Sequence, residues 1–258
     1  LNKLAVITGA TSGIGYEFSK IFAKNNFNLL LTGRNETILK KMQIEFTCRY
    51  NIQVFIFVCD LSIKQSVKDI YEFIKNNNLQ VDILVNNAGI GYNGLFENIT
   101  WEKEEEIISL NIIALTYLTK LLLNDMKKVG KGKILNVAST GAYQPGPLIN
   151  VYYATKAYVL SFSQALREEV KELNITVTTL CPGATKTNFS KRAGKGDLKV
   201  AMSAEFVARK GFTALMKNKA VCIPGFINKI LVVISKILPS NLNAKAVKII
   251  QKKAICNK

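Results

Sequence analysis

Residues Lys3–Gly15 read KLAVITGATSGIG, and a change of pattern inside that stretch decides the fold. LAVIT is a short apolar run of the kind a fully buried strand presents. Behind it come Gly9, Gly13 and Gly15, and a helix is expected to begin near Ile14. Glycine serves where a backbone must turn tightly and let a pyrophosphate approach the free N–H groups of a helix N-terminus, so the turn suits a dinucleotide. The spacing is not that of GxGxxG, and a merely tight turn would use the same residues.

The alternation continues down the chain. FNLLLTG, QVFIFVCD, VDILVNNAG, GKILNVAS and ITVTTLCPG are short runs closed by polar or glycine turns, as buried strands would be. Between them, the segments 37–46, 66–75, 104–128 and 154–173 carry apolar residues at helical spacing. Six strands alternating with helices predict a single α/β domain, a Rossmann-like doubly wound parallel sheet. Ligands of such sheets sit beyond the carboxyl ends of the strands.

Composition narrows the class. Hydrophobic residues make up 48% and charged residues 21%, a globular balance. Five cysteines, Cys48, Cys59, Cys181, Cys222 and Cys256, have no CxxC spacing, which predicts buried, reduced thiols and neither a disulfide framework nor a metal site. The first residues lead straight into a strand without a signal-peptide pattern, and no uncharged apolar run reaches the roughly 18 residues of a bilayer span. A cytoplasmic protein is expected. The net charge is +17, and from Lys191 to Lys258 fifteen Lys and Arg face only Asp197 and Glu205. That balance suits nucleic acid, an anionic membrane or acidic substrates. A lysine-, asparagine- and isoleucine-rich composition throughout the chain accounts for most of it. No nucleic-acid partner is expected, and peripheral membrane contact through the basic C-terminal part stays open.

In VYYATKAYVL, Val151–Leu160, Tyr152 stands four residues before Lys156 and Tyr153 three before it, so a helix can put either on the lysine's face. Local geometry does not choose. TGATSGIG, NNAG at Asn86–Gly89, Ser139, YYATK, and PG at Pro182–Gly183 follow one another in the order found in short-chain dehydrogenases/reductases, which the chain resembles over roughly residues 3–190. The resemblance implies that Tyr152 is the chemical tyrosine, since it opens YxxxK and lies thirteen positions after Ser139, and that Tyr153 packs or lines the substrate mouth. It implies a catalytic set of Asn111, Ser139, Tyr152 and Lys156. Tyr152 exchanges the proton, Lys156 favours its phenolate, Ser139 binds the carbonyl oxygen, and Asn111 holds a water that relays protons to the lysine. A buried asparagine satisfying backbone groups would fit position 111 as well.

The same resemblance implies a nicotinamide cofactor held by Gly9, Thr11, Ser12, Gly13, Ile14 and Gly15, by Asp60 and Leu61 at the adenine, by Asn87, Ala88 and Gly89, by Tyr152 and Lys156, and by Pro182, Gly183 and Thr187. Where NAD-binding members carry an acid after the second strand, this chain has Gly33 and then Arg34, a partner for a 2′-phosphate, so NADP(H) is expected. Residues 1–190 would form the cofactor-binding and catalytic core. Residues 191–258 would add a substrate loop, with KRAGKGDLKV polar and mobile, and a helical extension that covers substrate and makes interfaces. The expected partners are a small carbonyl compound, such as a ketone or a 3-oxoacyl thioester, and further copies of the chain in a homodimer or homotetramer. A catalytically weak NADP-sensing or membrane-surface protein is the alternative. The segment 224–240, PGFINKILVVISKILPS, is too apolar to lie free in water and has to be covered by the body, a second subunit or lipid.

Overall fold

Successive residues of β1 (Leu4–Thr8) point to opposite faces of a sheet, yet all five are buried. Ala5 and Ile7 join one apolar cluster and Leu4 and Val6 another, so the strand has a core on each side. That double burial is why the run is continuously apolar. The structure, a computed structural model, describes residues 2–189 and 201–256.

Besides β1, the main sheet contains β2 (Asn28–Gly33), β3 (Val54–Val58), β4 (Val81–Asn86), β5 (Gly132–Val137) and β6 (Ile175–Leu180). It also contains β9 (Val221–Cys222), and its order is β3-β2-β1-β4-β5-β6-β9, parallel throughout. One face is covered by α1 (Gly13–Lys24), α2 (Glu36–Tyr50) and α6 (Ala204–Met216), through Phe18, Phe22, Leu39, Phe46, Val207 and Leu215. The other is covered by α3 (Lys64–Asn76), the continuous helix α4 (Trp101–Val129) and α5 (Asn150–Glu169), through Ile70, Ile107, Leu118, Leu122 and Leu166. Strand order reverses between β1 and β4, which opens a crevice at their carboxyl ends. Thr8 ties the two strands there: its Oγ1 accepts from Asn87 N and Ala88 N, each at 3.0 Å.

Several expectations change. The seventh strand, β9, is two residues long and shows no periodicity in sequence. With it and α6 in place, the body runs past residue 190: a Cβ at Gly211 of α6 would meet Phe18 Cζ of α1 at 2.7 Å. The helix expected at 37–46 extends to Glu36–Tyr50 because Asn35 caps it, its Oδ1 accepting from Ile38 N at 3.0 Å, and Asn51 ends it in the left-handed region. The helix expected at 154–173 starts four residues earlier and closes with a 3₁₀ turn at Lys171–Leu173. Helix α4 is long and apolar enough to cross a membrane by length and composition, although Lys120 breaks its uncharged run. Ile107, Leu118, Leu122 and Met126 of that helix are buried in the core beside β4 and β5. Of the thiols expected to be buried, Cys181 is buried, Cys59 and Cys222 are half-buried, and Cys48 is exposed.

Beyond β6, the short strands β7 (Thr185–Lys186) and β8 (Met202–Ser203) pair in parallel. The expected mobile loop, residues 191–200, lies outside the described residues. The chain closes with α7 (Phe226–Ile237) and α8 (Ser240–Cys256), joined at Pro239.

Candidate active site

A cavity of about 760 Å³ opens beyond the carboxyl ends of the strands. Its lining brings together Gly9, Thr11, Ser12, Gly13 and Ile14 from the first turn, Arg34 after β2, Asp60 and Leu61 after β3, and Asn87, Ala88 and Gly89 after β4. Ser139, Tyr152, Lys156, Pro182, Gly183 and Thr187 complete it from the far half of the sheet. Gly15 and Asn111 stand behind the wall.

The first turn works by close approach. A Cβ on Gly15 would run into the Gly9 carbonyl oxygen and the Asn87 side-chain amide. Gly13 holds φ at +55°, and a Cβ there would meet Thr187 Cγ2 at 2.8 Å, so the loop after β6 presses on the start of α1. Ser12 occupies the N-cap of α1 and makes no side-chain cap bond, which leaves the first helical N–H groups for a ligand at the cavity. Asn87 lines the cavity and has a further duty. Its Nδ2 donates to Thr8 O at 2.9 Å and Gly9 O at 3.2 Å, so the side chain braces the turn.

Tyr152 and Lys156 share one face of α5, with the Lys156 Nζ 5.7 Å from the Tyr152 ring centroid. Lys156 is 4% exposed, and its Nζ donates to Val137 O at 2.8 Å. Burial pushes that ammonium down from 10.5 to about 8. Burial also drives the Tyr152 phenol well above its ordinary range, against a hydrogen bond with Ser139 that pulls it down. Ser139 Oγ additionally accepts from Gly141 N at 3.0 Å, so it is held at the end of β5 by the 3₁₀ turn that follows.

Asn111 lies in a wide π-turn, Ser109–Ala114, inside α4 and is completely buried. Its Nδ2 donates to Ile90 O at 2.9 Å and Thr155 Oγ1 at 3.0 Å, and its Oδ1 accepts from Ile90 N at 3.0 Å. These bonds lock the segment after β4 to α5. A Cβ on Gly89 would sit 3.2 Å from both Asn111 Oδ1 and Lys156 Nζ, so only glycine lets the three approach comfortably.

Arg34 reaches two carboxylates through Nη1, Asp60 Oδ2 at 3.3 Å and Glu106 Oε1 at 3.4 Å. Burial alone would raise the Asp60 carboxyl. Hydrogen bonds from the Ser62 hydroxyl and backbone, together with Arg34, hold it below its ordinary value. Glu106 in turn accepts from the Tyr92 hydroxyl at 2.6 Å.

Other residues of the wall had no signal in the sequence. Tyr153 does line the cavity, and its hydroxyl also accepts from Gln251 Nε2 of α8 at 3.1 Å. Ile250 and Gln251 thereby join the site from the last helix, and Phe189 packs 5.2 Å from the Tyr152 ring. Beneath the wall, Asn86 Nδ2 donates to Thr119 Oγ1 and Asn136 Oδ1, each at 2.9 Å, and Asn136 Nδ2 donates to Ser163 Oγ at 2.8 Å. That buried chain crosslinks β4, β5, α4 and α5. The asparagines ending VDILVN and opening NVAS were its only visible trace.

Residues 3–197 match the model of a family described as short chain dehydrogenase. The chain is 33% identical over 199 residues to the very-long-chain 3-oxoacyl-CoA reductase of Rattus norvegicus, which covers 74% of this chain and 62% of that protein. The chain therefore spans less than two thirds of that relative's length. A short-chain dehydrogenase from Sphingobium yanoikuyae, solved in complex with NADPH, superposes with a TM-score of 0.82 at 27% identity, covering 92% of this chain and 97% of that one. A short chain dehydrogenase/reductase from Burkholderia phymatum, solved in complex with NAD, shares the fold with a TM-score of 0.82 at 20% identity, over 90% and 92% of the two chains.

Proposed function

The chain belongs to the short-chain dehydrogenase family, and from that premise we propose that it is an oxidoreductase exchanging a hydride between NADP(H) and a carbonyl or alcohol, working as a reductase of ketone or 3-oxoacyl-type carbonyls. The observation that carries this reading is the convergence of Ser139, Tyr152 and Lys156 on one cavity whose opposite wall is a glycine-cradled helix N-terminus.

The residues present fit a nicotinamide dinucleotide. The open N–H groups of α1 suit a pyrophosphate, Lys156 and Thr187 offer donors further along, and the cavity is continuous between them. Bound there, the cofactor supplies the hydride. The chain supplies the proton. Desolvation lets Tyr152 keep its proton, so it stands ready as the acid, and the Lys156 charge lowers the cost of the phenolate left behind. Ser139, at hydrogen-bond range of the same phenol, steadies the carbonyl oxygen as charge develops on it. Asn111 holds the segment carrying Gly89 and Ile90 in register with α5.

The preference for NADP(H) rests on Arg34. No acid ends β2, and both of the arginine's ion pairs use Nη1, so Nη2 and Nε remain as donors for a 2′-phosphate. The 3-oxoacyl thioester is favoured as substrate by the activity named for the Rattus norvegicus relative. The test is a panel of 3-oxoacyl thioesters, simple ketones and sugars, with oxidation of NADPH and NADH followed separately for the native protein and Arg34→Ala. We expect turnover of the thioesters with NADPH, and a loss of at least about tenfold in NADPH selectivity on removing the arginine. A native protein that prefers NADH would overturn the reading of Arg34, and a panel without turnover would overturn the reductase.

A further inference from the structure

Helix α7 is inside out. Its inward stripe, at i, i+4 and i+7, is Asn228, Val232 and Ser235, two of them polar. Phe226, Ile227, Ile230, Leu231, Ile234 and Ile237 fall on the opposite arc, about 140° wide at 3.6 residues per turn, and are 43–77% exposed. Helix α8 repeats the inversion. Asn243, Val247 and Gln251 face inward, while Leu242, Ile249 and Ile250 are 47–63% exposed. Hydrogen bonds hold the inner side: Asn228 Nδ2 donates to Pro224 O at 2.8 Å, Asn243 Nδ2 to Ser235 O at 2.7 Å, and Gln251 Nε2 to Tyr153 OH at 3.1 Å. An apolar surface of this extent in a soluble body marks a docking site.

Charge identifies the occupant. Every charged residue described on the two helices is a lysine, Lys229, Lys236, Lys245, Lys248 and Lys252, and all five are exposed. The sequence contains no acid after Glu205. A second copy using this face about a two-fold axis would set lysines against lysines with no carboxylate between them. Anionic lipid headgroups supply the missing charge, and the acyl boundary accepts the apolar arc. Ile250 belongs both to the exposed apolar set and to the cavity wall, so the rim of the cavity adjoins this face.

We infer that α7 and α8 dock the protein on an anionic bilayer surface, with the isoleucine-rich arc in the interface and the lysines among the headgroups. The inference does not depend on the proposed reaction, because its test reads no turnover. The 258-residue chain is sedimented with vesicles of phosphatidylcholine, with and without phosphatidylserine, at low and high salt. It should pellet with the phosphatidylserine vesicles at least about tenfold more strongly than with phosphatidylcholine alone, and salt should weaken that binding. Ile227→Glu combined with Ile237→Glu should lower the binding about tenfold or more, with the melting temperature unchanged, since both side chains are exposed. Two results would overturn the inference. One is an unmutated chain that ignores both vesicle types. The other is a double variant whose mass by light scattering halves while its vesicle partition stays the same, which would mean that a second copy covers the face.

Discussion

The half-buried Tyr152 ring lies beside the Lys156 ammonium, whereas the Tyr153 hydroxyl accepts from Gln251, 98 positions further along the chain. In the proposed reaction this division makes Tyr152→Phe lose reduction by at least about a hundredfold while nicotinamide binding persists. Tyr153→Phe should act mainly on KM, through the docking of α8. Steady-state kinetics with cofactor binding followed by fluorescence checks both, and equal residual turnover in the two variants would reverse the assignment. Lys156 adds a pH signature. Its folded value is depressed from 10.5 to about 8 by burial, so the unfolded chain binds more protons between those pH values. The burial penalty, about 3 kcal/mol, is therefore full below about pH 8 and is relieved as pH rises toward 10.5. Lys156→Met should flatten that rise in stability, measured by denaturant midpoints at pH 7 and pH 10, and should abolish reduction. The roles expected of Tyr152 and Lys156 came from the family resemblance, because spacing along the helix left Tyr152 and Tyr153 equal. The bracing role of Asn87 was hidden, because its partners Thr8 and Gly9 lie 79 and 78 positions away.

At the scale of the element, the turn between β1 and α1 and the wide turn in α4 do the positioning. Gly15 allows the helix to close over the Gly9 carbonyl and the Asn87 amide. Gly15→Ala would push on backbone that cannot yield, so it should destabilise the fold by about 1–3 kcal/mol and weaken nicotinamide binding, read by thermal unfolding with and without cofactor. The glycine cluster announced this turn because each member answers a local steric demand. The π-turn at Ser109–Ala114 left no such mark. SLNIIA carries neither proline nor glycine, and the apolar repeat runs through it, so the widening of the helix stayed hidden although Asn111 stood out as a polar residue in an apolar stretch. The two-residue β9 was equally silent, since its place depends on Thr179 N and Cys181 N donating to Ala220 O and Cys222 O, each at 2.8 Å.

Across the whole molecule, the apolar strand runs made the doubly wound sheet legible, because strands buried on both faces advertise themselves. The last two helices ran against that logic: their apolar residues mark the outside, and their asparagines and glutamine mark the inside. Attachment of this kind has a consequence for how the protein breathes. Hydrogen bonds that water can replace hold α7 and α8 to the body less firmly than the apolar clusters hold the sheet. The pair should therefore open as a separate cooperative unit, well before global unfolding. In native-state hydrogen exchange, the amides of α7 and α8 are expected to lose protection as one group at low denaturant, while those of β1, β4 and β5 exchange only by complete unfolding. Exchange of all these amides at a single free energy would show that the C-terminal pair is an integral part of the core.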